Sequence, residues 1–174
     1  MNMSQTILLI GLRGSGKSTL GRLLAIARGV SFVDLDDLTL RRMGYSTVSE
    51  AWTERGERAF RASEIEALTG AIEDGGVIAL GGGTPMAPGG EDLITSTNTV
   101  SVYLRGDPAL LRDRLEDGAG ADRPSLTGAD PIDEIERVFK DRDETYRVIA
   151  DHVLELAAHE QPDQTLLRLI GMIG

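Results

Sequence analysis

Nine consecutive residues, Gly11-Leu-Arg-Gly14-Ser15-Gly16-Lys17-Ser18-Thr19, carry the most specific chemistry in the chain. Two glycines with four residues between them, followed by Lys and Ser, match the phosphate-binding loop pattern in full. The glycines let backbone N–H groups wrap a phosphate, and a helix opening at Lys17 would aim its positive N-terminus at the same anion. Lys17 would reach the outer phosphate oxygens, and the Ser18 hydroxyl would ligate Mg²⁺.

Three further clusters stand where an acceptor for that phosphate would be held. In Phe32-Val33-Asp34-Leu35-Asp36-Asp37, alternation along a strand puts Asp34 and Asp36 on one side, at the carboxyl end where open α/β sheets place ligands. One carboxylate would support Mg²⁺ through water and the other would accept a hydrogen bond from an attacking hydroxyl. Capping of a following helix by Asp36 or Asp37 is the plainer alternative. In Gly56–Glu64, helical spacing sets Arg58, Arg61 and Glu64 on one face, with Arg61 and Glu64 close enough to pair. A surface ion pair would look the same. Gly81-Gly82-Gly83 suggests backbone that approaches a ligand closely, although a simple turn would share the composition.

These groups need a scaffold, and the hydrophobic pattern supplies one. Short apolar runs (Thr6–Gly11, Ser31–Leu35, Val77–Gly81, Thr99–Arg105 and His152–Leu156) alternate with helical periods. The helical patterns cover Lys17–Ala27, Glu57–Glu73, Pro108–Glu116, Pro131–Ala150 and Asp163–Met172. That alternation predicts an α/β fold with a parallel sheet. Gly29, Gly75 and Gly76 sit where helices should end. The stretch Glu116–Asp130 has little periodicity and three glycines, and reads as a mobile surface segment fit to serve as a lid.

Composition narrows the class. With 174 residues, 41% hydrophobic and 26% charged, the chain suits one folded domain with a real core. It has no cysteine, which removes disulfides, zinc fingers and thiol nucleophiles. Net charge is −10, so a nucleic-acid backbone is an unsuitable partner. The excess is uneven: residues 1–87 carry 9 basic and 10 acidic side chains, residues 88–174 carry 9 and 18. No apolar run is long enough for a membrane span or a signal peptide, so a cytoplasmic protein is expected. The only asparagines are Asn2 and Asn98 and neither precedes Lys, so a guanine-reading Asn-Lys-x-Asp element is absent. No strand candidate ends in the Asp–Glu pair of a motor-type ATPase. A small phosphotransferase with an acceptor site and a closing lid is the class left.

The ordered set of phosphate loop, Asp-x-Asp, Gly-Glu-x-x-Phe-Arg-x-x-Glu, Gly-Gly-Gly, Arg123-Pro124-x-Leu126 and Arg142-x-x-x-Tyr146 resembles the shikimate kinases over residues 6–151. The resemblance implies a three-layer α/β/α P-loop kinase fold with a central five-stranded parallel sheet. It implies one domain over 1–174, with the phosphate loop at 11–19, an acceptor-binding segment at about 36–64 and a lid at about 116–128. ATP and shikimate would be the partners, with Mg²⁺ as cofactor and a monomer as the working form. Lys17, Asp36 and Arg123 would be catalytic. Gly14, Ser15, Gly16, Lys17, Ser18 and Thr19 would hold the phosphates, with Arg123 swinging onto them and Arg114 lying against adenine. Asp36 would contact the hydroxyl that is phosphorylated, and Asp34 would sit near Mg²⁺ with Ser18 and also reach the substrate. Arg61 and Arg142 would clamp the carboxylate, and Gly82 would offer its amide to a ring hydroxyl. A planar guanidinium is the natural fork for a carboxylate.

The chain departs from the family in two places. Where the family often has Pro two residues after the helix Arg, this chain reads Arg142-Asp143-Glu144, and Asp143 and Glu144 are expected on a solvated face. Ser125 replaces a larger apolar residue in the lid. The loop at 157–162 does not align. Trp52 falls in the segment that should cover the acceptor, while His152 and His159 read as a strand-entry and a loop residue rather than ligands. A gluconate-kinase-like enzyme and a non-catalytic metabolite-sensing domain are the competing readings. A sensor would be expected to carry an appended effector segment, and strand one already begins by residue 6.

Overall fold

A computed structural model describes residues 5–96, 98–116 and 134–174. Five strands form one sheet: β1 (Thr6–Ile10), β2 (Phe32–Asp34), β3 (Val77–Ala79), β4 (Thr99–Arg105) and β5 (His152–Glu155), in the order β2-β3-β1-β4-β5 with every pairing parallel. The helices are α1 (Lys17–Arg28), α2 (Leu35–Met43), α3 (Val48–Arg55), α4 (Glu57–Asp74), α5 (Gly90–Ile94), α6 (Pro108–Glu116), α7 (Ile135–Ile149) and α8 (Pro162–Ile173).

The period of two along the strands divides the core into two layers. Leu8 and Ile10 of β1, Ile78 of β3 and Tyr103 of β4 face one way, where Leu68 of α4 and Tyr146 and Ile149 of α7 cover them. Ile7 and Leu9, with Val102 and Leu104, face the other way against Leu20 and Leu24 of α1 and Leu169 of α8. Strands buried on both faces read as continuous apolar runs, which is why Ile7–Ile10 shows no polar alternation. A third, smaller cluster packs Val48 and Ala51 of α3 on Phe60 of α4. It is a cluster separate from the two sheet layers.

The order is that of a three-layer α/β/α fold with a five-stranded parallel sheet, as expected from the alternation and the resemblance. β1 sits in the middle. The chain leaves it through α1 to the far edge at β2, returns to β3, then crosses to β4 on the other side. The carboxyl ends of β1, β3 and β4 therefore open on a topological switch point, where such sheets bind ligands.

Several expectations need correction. Strand β2 stops at Asp34 and the chain turns at once into α2, so Asp36 lies in the first helical turn and not beside Asp34 on a strand. An Asp-rich start followed by Leu38, Thr39 and Leu40 satisfies a helix as well as a strand, and packing of α2 on α4 decides it. The N-cap is Asp34, without a side-chain cap bond, so neither Asp36 nor Asp37 caps. Helix α3 was hidden by weak periodicity, although Thr47 and Glu50 form a reciprocal capping box at its start. The helix expected over Pro131–Ala150 begins at Ile135 among the described residues. The lid expected at about 116–128, apart from Glu116 at the end of α6, and Arg123, Ser125 and Leu126 with it, lie outside the described residues.

Leu68 is fully buried between α4 and the sheet. Leu68→Ala is expected to cost about 2–5 kcal/mol. At roughly 2–4 °C per kcal/mol for a chain of this size, calorimetry would show a clear fall in Tm. An unchanged Tm would mean that α4 does not depend on this contact for docking.

Candidate active site

The phosphate loop leaves β1 at Gly11 and enters α1 at Lys17. Gly16 caps the helix in the left-handed region at φ 85°, and Gly14 has φ 80°. A side chain at either position would be strained, which explains why glycines punctuate the turn. Lys17 is buried and folds back across the loop, its Nζ donating to the carbonyls of Gly11 (2.8 Å) and Leu12 (2.9 Å). The ammonium thus stands at the mouth of a curl of backbone N–H groups. Ser18 Oγ donates to Asp34 Oδ2 at 2.6 Å. The hydroxyl at the first turn of α1 and the carboxylate at the end of β2 meet because those two elements pack together.

A cleft of about 470 Å³ runs along this loop, lined by residues 13–20, Asp34, Asp36 and Arg114. Its far end is closed by Leu156, Glu160, Pro162 and Thr165, from β5 to the start of α8. Arg114 of α6 reaches over the loop, with Nη1 3.4 Å from the Gly14 carbonyl. The closing residues were not legible in the sequence, since nothing in Ala157–Pro162 marks it as part of a site. In the structure Arg168 of α8 pins it, donating to Glu160 Oε2 at 2.8 Å and to the Glu155 carbonyl at 2.8 Å.

A second, smaller cleft of about 90 Å³ adjoins the first, and Asp36 lines both. Its walls come from four elements that meet there: Trp52 of α3, Arg61 of α4, the turn Gly81–Gly83 after β3, and Arg142 of α7. Helix α4 was expected to show Arg61 and Glu64 on one face, and they pair at 2.7 Å. This is no surface pair, because Glu64 is fully buried. Its second oxygen accepts from Thr84 Oγ1 at 2.7 Å. Burial pushes the Glu64 carboxyl up from its ordinary value of 4.5, with Asp36 adding to the rise, while Arg61 and Thr84 oppose it. Arg58, on the same helix, is exposed and takes no part in the cleft. The Arg61 guanidinium also lies 5.6 Å from the ring centres of both Trp52 and Phe60, which holds its plane toward the cleft.

The triple glycine is a close approach rather than a simple turn. A Cβ on Gly81 would stand 2.6 Å from Asp36 Oδ1 and 2.6 Å from Glu64 Oε1, so only glycine lets the chain pass between the two carboxylates. The Gly82 carbonyl accepts from Arg142 Nη1 at 2.7 Å and from the Tyr146 hydroxyl, both on α7. Asp143 corrects a further expectation: it does not face solvent but is bound by Arg105, Tyr103 and Arg147. Glu144 is exposed, as expected. His152 begins β5 and His159 lies in the following loop, and no cluster of three or more His, Asp or Glu gathers among the described residues. The arrangement can bind an extended polyphosphate beside a small anion and set a carboxylate between them.

A family model described as shikimate kinase matches residues 13–173. The chain is 37% identical to shikimate kinase 2 of Sodalis glossinidius over 172 residues, which is 98% of this chain and 97% of that protein. Among solved structures, shikimate kinase from Acinetobacter baumannii in complex with shikimate superposes with a TM-score of 0.85 at 26% identity, covering 98% of this chain and 93% of that one. Shikimate kinase from Bacteroides thetaiotaomicron gives a TM-score of 0.85 at 31% identity, covering 97% and 98%.

The raised Glu64 carboxyl has a consequence for stability. The folded protein binds this proton more tightly than the unfolded chain, so the protonated form's contribution is lost as pH rises from 4.5 through the folded value. Glu64→Gln removes the titration, and its Tm relative to the parent is expected to climb as pH is raised from 4.5 to 7. A difference in Tm that stays constant across that range would return Glu64 to an ordinary carboxylate.

Proposed function

The chain belongs to the shikimate kinase family, and from that premise we propose that it transfers the γ-phosphoryl group of ATP to the 3-hydroxyl of shikimate, giving shikimate 3-phosphate and ADP for aromatic amino acid biosynthesis. One observation carries the reading at this site: Asp36 lines both the cleft of the phosphate loop and the smaller cleft that holds two guanidiniums. A group there faces donor and acceptor at once, as in-line transfer requires.

The geometry supports the following roles in that reaction. The backbone N–H groups of residues 14–19 cradle the β-phosphate, and Lys17 turns from the loop carbonyls to the γ-phosphoryl oxygens as charge builds on them. Arg114, which lines the same cleft as Pro162, lies against the nucleobase. Arg61 and Arg142 take the shikimate carboxylate. Arg142 gives one N–H to the Gly82 carbonyl and keeps others for the ligand, and Gly82 offers its amide to a ring hydroxyl. Asp36 accepts a hydrogen bond from the attacking hydroxyl and takes its proton as the oxygen–phosphorus bond forms and the bond to ADP breaks. Arg123, outside the described residues, would add positive charge to the phosphates, as the family resemblance implies.

Ser18 and Asp34 are hard oxygen donors held side by side, which suits Mg²⁺ coordinated partly through water. Bound there, the ion would supply positive charge to offset that of the phosphates. We take residues 1–174 to work as one unit, a cytoplasmic monomer with the acceptor segment at about 36–64. No described helix is long and apolar enough to cross a membrane. The family disfavours both a gluconate kinase and a non-catalytic sensor.

A coupled ADP-release assay with Mg²⁺-ATP, offering shikimate and gluconate in parallel, is expected to show saturable turnover on shikimate alone. Asp36→Asn and Lys17→Ala should each lower kcat about 10²–10⁴-fold with circular dichroism unchanged. Arg61→Lys keeps the charge but loses the fork, so KM for shikimate should rise while KM for ATP holds. Turnover on gluconate, or equal changes in both KM values, would overturn the assignment of the acceptor site.

A further inference from the structure

Asp143 follows Arg142 on α7 but points to another part of the molecule. Its Oδ1 accepts from the Tyr103 hydroxyl at 2.9 Å and from Arg105 Nε at 2.8 Å, and its Oδ2 accepts from Arg147 Nε at 3.0 Å. Tyr103 and Arg105 belong to the carboxyl end of β4, so these bonds tie one side of α7 to the sheet. Arg105 is steadied in turn by Glu155 of β5 at 2.9 Å and by the Phe139 ring, 4.9 Å away on α7 itself. On the neighbouring side of the helix, Arg142 and Tyr146 both donate to the Gly82 carbonyl. Tyr146 meets Tyr103 edge-on at 5.1 Å, closing the circuit between the two attachments.

Consecutive helical residues point about 100° apart. Arg142 and Asp143 therefore hold α7 at two separate points, the glycine turn and the sheet end, which together set its rotation. The apolar contacts of Ile135, Tyr146 and Ile149, with Val138 and Phe139 beside them, hold the helix on the core, but such contacts are non-directional and set its roll less sharply than hydrogen bonds do. A roll of 20° would move an atom 6 Å from the helix axis by about 2 Å. A misplacement of about 1 Å can already cost a hundredfold in rate. Burial pushes the Asp143 carboxyl up, yet bonds from Arg105, Tyr103 and Arg147 outweigh it and hold the group below its ordinary value, so it is charged at neutral pH.

We infer that Asp143 is a positioning residue of the acceptor site: anchored by Tyr103 and Arg105, it fixes the roll of α7 that presents the Arg142 guanidinium to the acceptor carboxylate. This rests on the reading of Arg142 as a carboxylate ligand. Of the two acidic residues that follow Arg142, Asp143 thus serves the adjacent arginine while Glu144 is exposed.

The test uses quenching of Trp52, the single tryptophan and a wall of the acceptor cleft, to give Kd for shikimate, alongside KM for both substrates. Asp143→Asn should raise Kd and KM for shikimate about tenfold and leave KM for ATP within twofold. Arg142→Ala should raise Kd at least as much, and the double variant should be no weaker than Arg142→Ala alone, because Asp143 acts through Arg142. Arg105→Lys, which loses the hold on Asp143 without removing a carboxylate, should shift shikimate binding in the same direction and serves if Asp143→Asn folds poorly. An unchanged Kd in Asp143→Asn with a raised Kd in Arg142→Ala overturns this inference alone, as does full additivity in the double variant. An unchanged Kd in Arg142→Ala overturns the Arg142 reading and the inference with it.

Discussion

A buried carboxylate between two elements organises the acceptor side of this protein. Glu64 is fully enclosed, and taking a lone carboxylate out of water costs several kcal/mol. Arg61 meets one of its oxygens and Thr84 the other, so the burial is tolerated only while α4 and the turn after β3 stay in register. Gly81 has to thread between Glu64 and Asp36 for this to happen, and no side chain fits there. The same bonds that satisfy Glu64 hold the Arg61 fork, and Asp36, on α2, lines the border of both clefts. Structural satisfaction and site geometry are one requirement here.

The sheet supplies the donor side by a simpler route. Parallel strands put all their carboxyl ends on one edge, and the crossing from β3 to β4 over β1 opens a crevice at the central strand. The phosphate loop occupies that crevice directly, and α1 closes it with its N-terminus. Lys17 then has loop carbonyls on which to rest its charge, a partner set it can exchange for phosphate oxygens without leaving the loop. The smaller cleft takes walls from α3, α4 and α7, with Asp36 shared between it and the cleft of the phosphate loop.

Charge is distributed with the same economy. The acidic excess of the second half is partly absorbed inside the protein. Asp143 collects three donors and ties α7 to the end of β4, Glu155 of β5 pairs with Arg105 of β4, and Glu160 of the following loop pairs with Arg168 of α8. Most of these pairs are partly exposed and individually contribute little to stability. Their effect is geometric: they orient α7 and the loop that closes the nucleotide cleft.

Much of this was legible in the residues. The phosphate loop, strand β4 at Thr99–Arg105, helix α6 at Pro108–Glu116, the C-caps at Gly29 and Gly75, and the pairing of Arg61 with Glu64 all follow from local spacing and from the two periods of strand and helix. Local information ends where partners lie far apart in the chain. Asp36 belongs to a helix because α2 packs on α4, a choice its neighbours leave open. Asp143 is held by Tyr103 and Arg105, about forty residues earlier, and Glu64 is buried against a turn twenty residues later. The sequence by itself determined most of the elements and the residue types able to handle a phosphate and a carboxylate. Only the tertiary structure decided which carboxylates are buried, paired or shared between clefts, because desolvation and hydrogen bonding depend on what folds against a group and not on what precedes it.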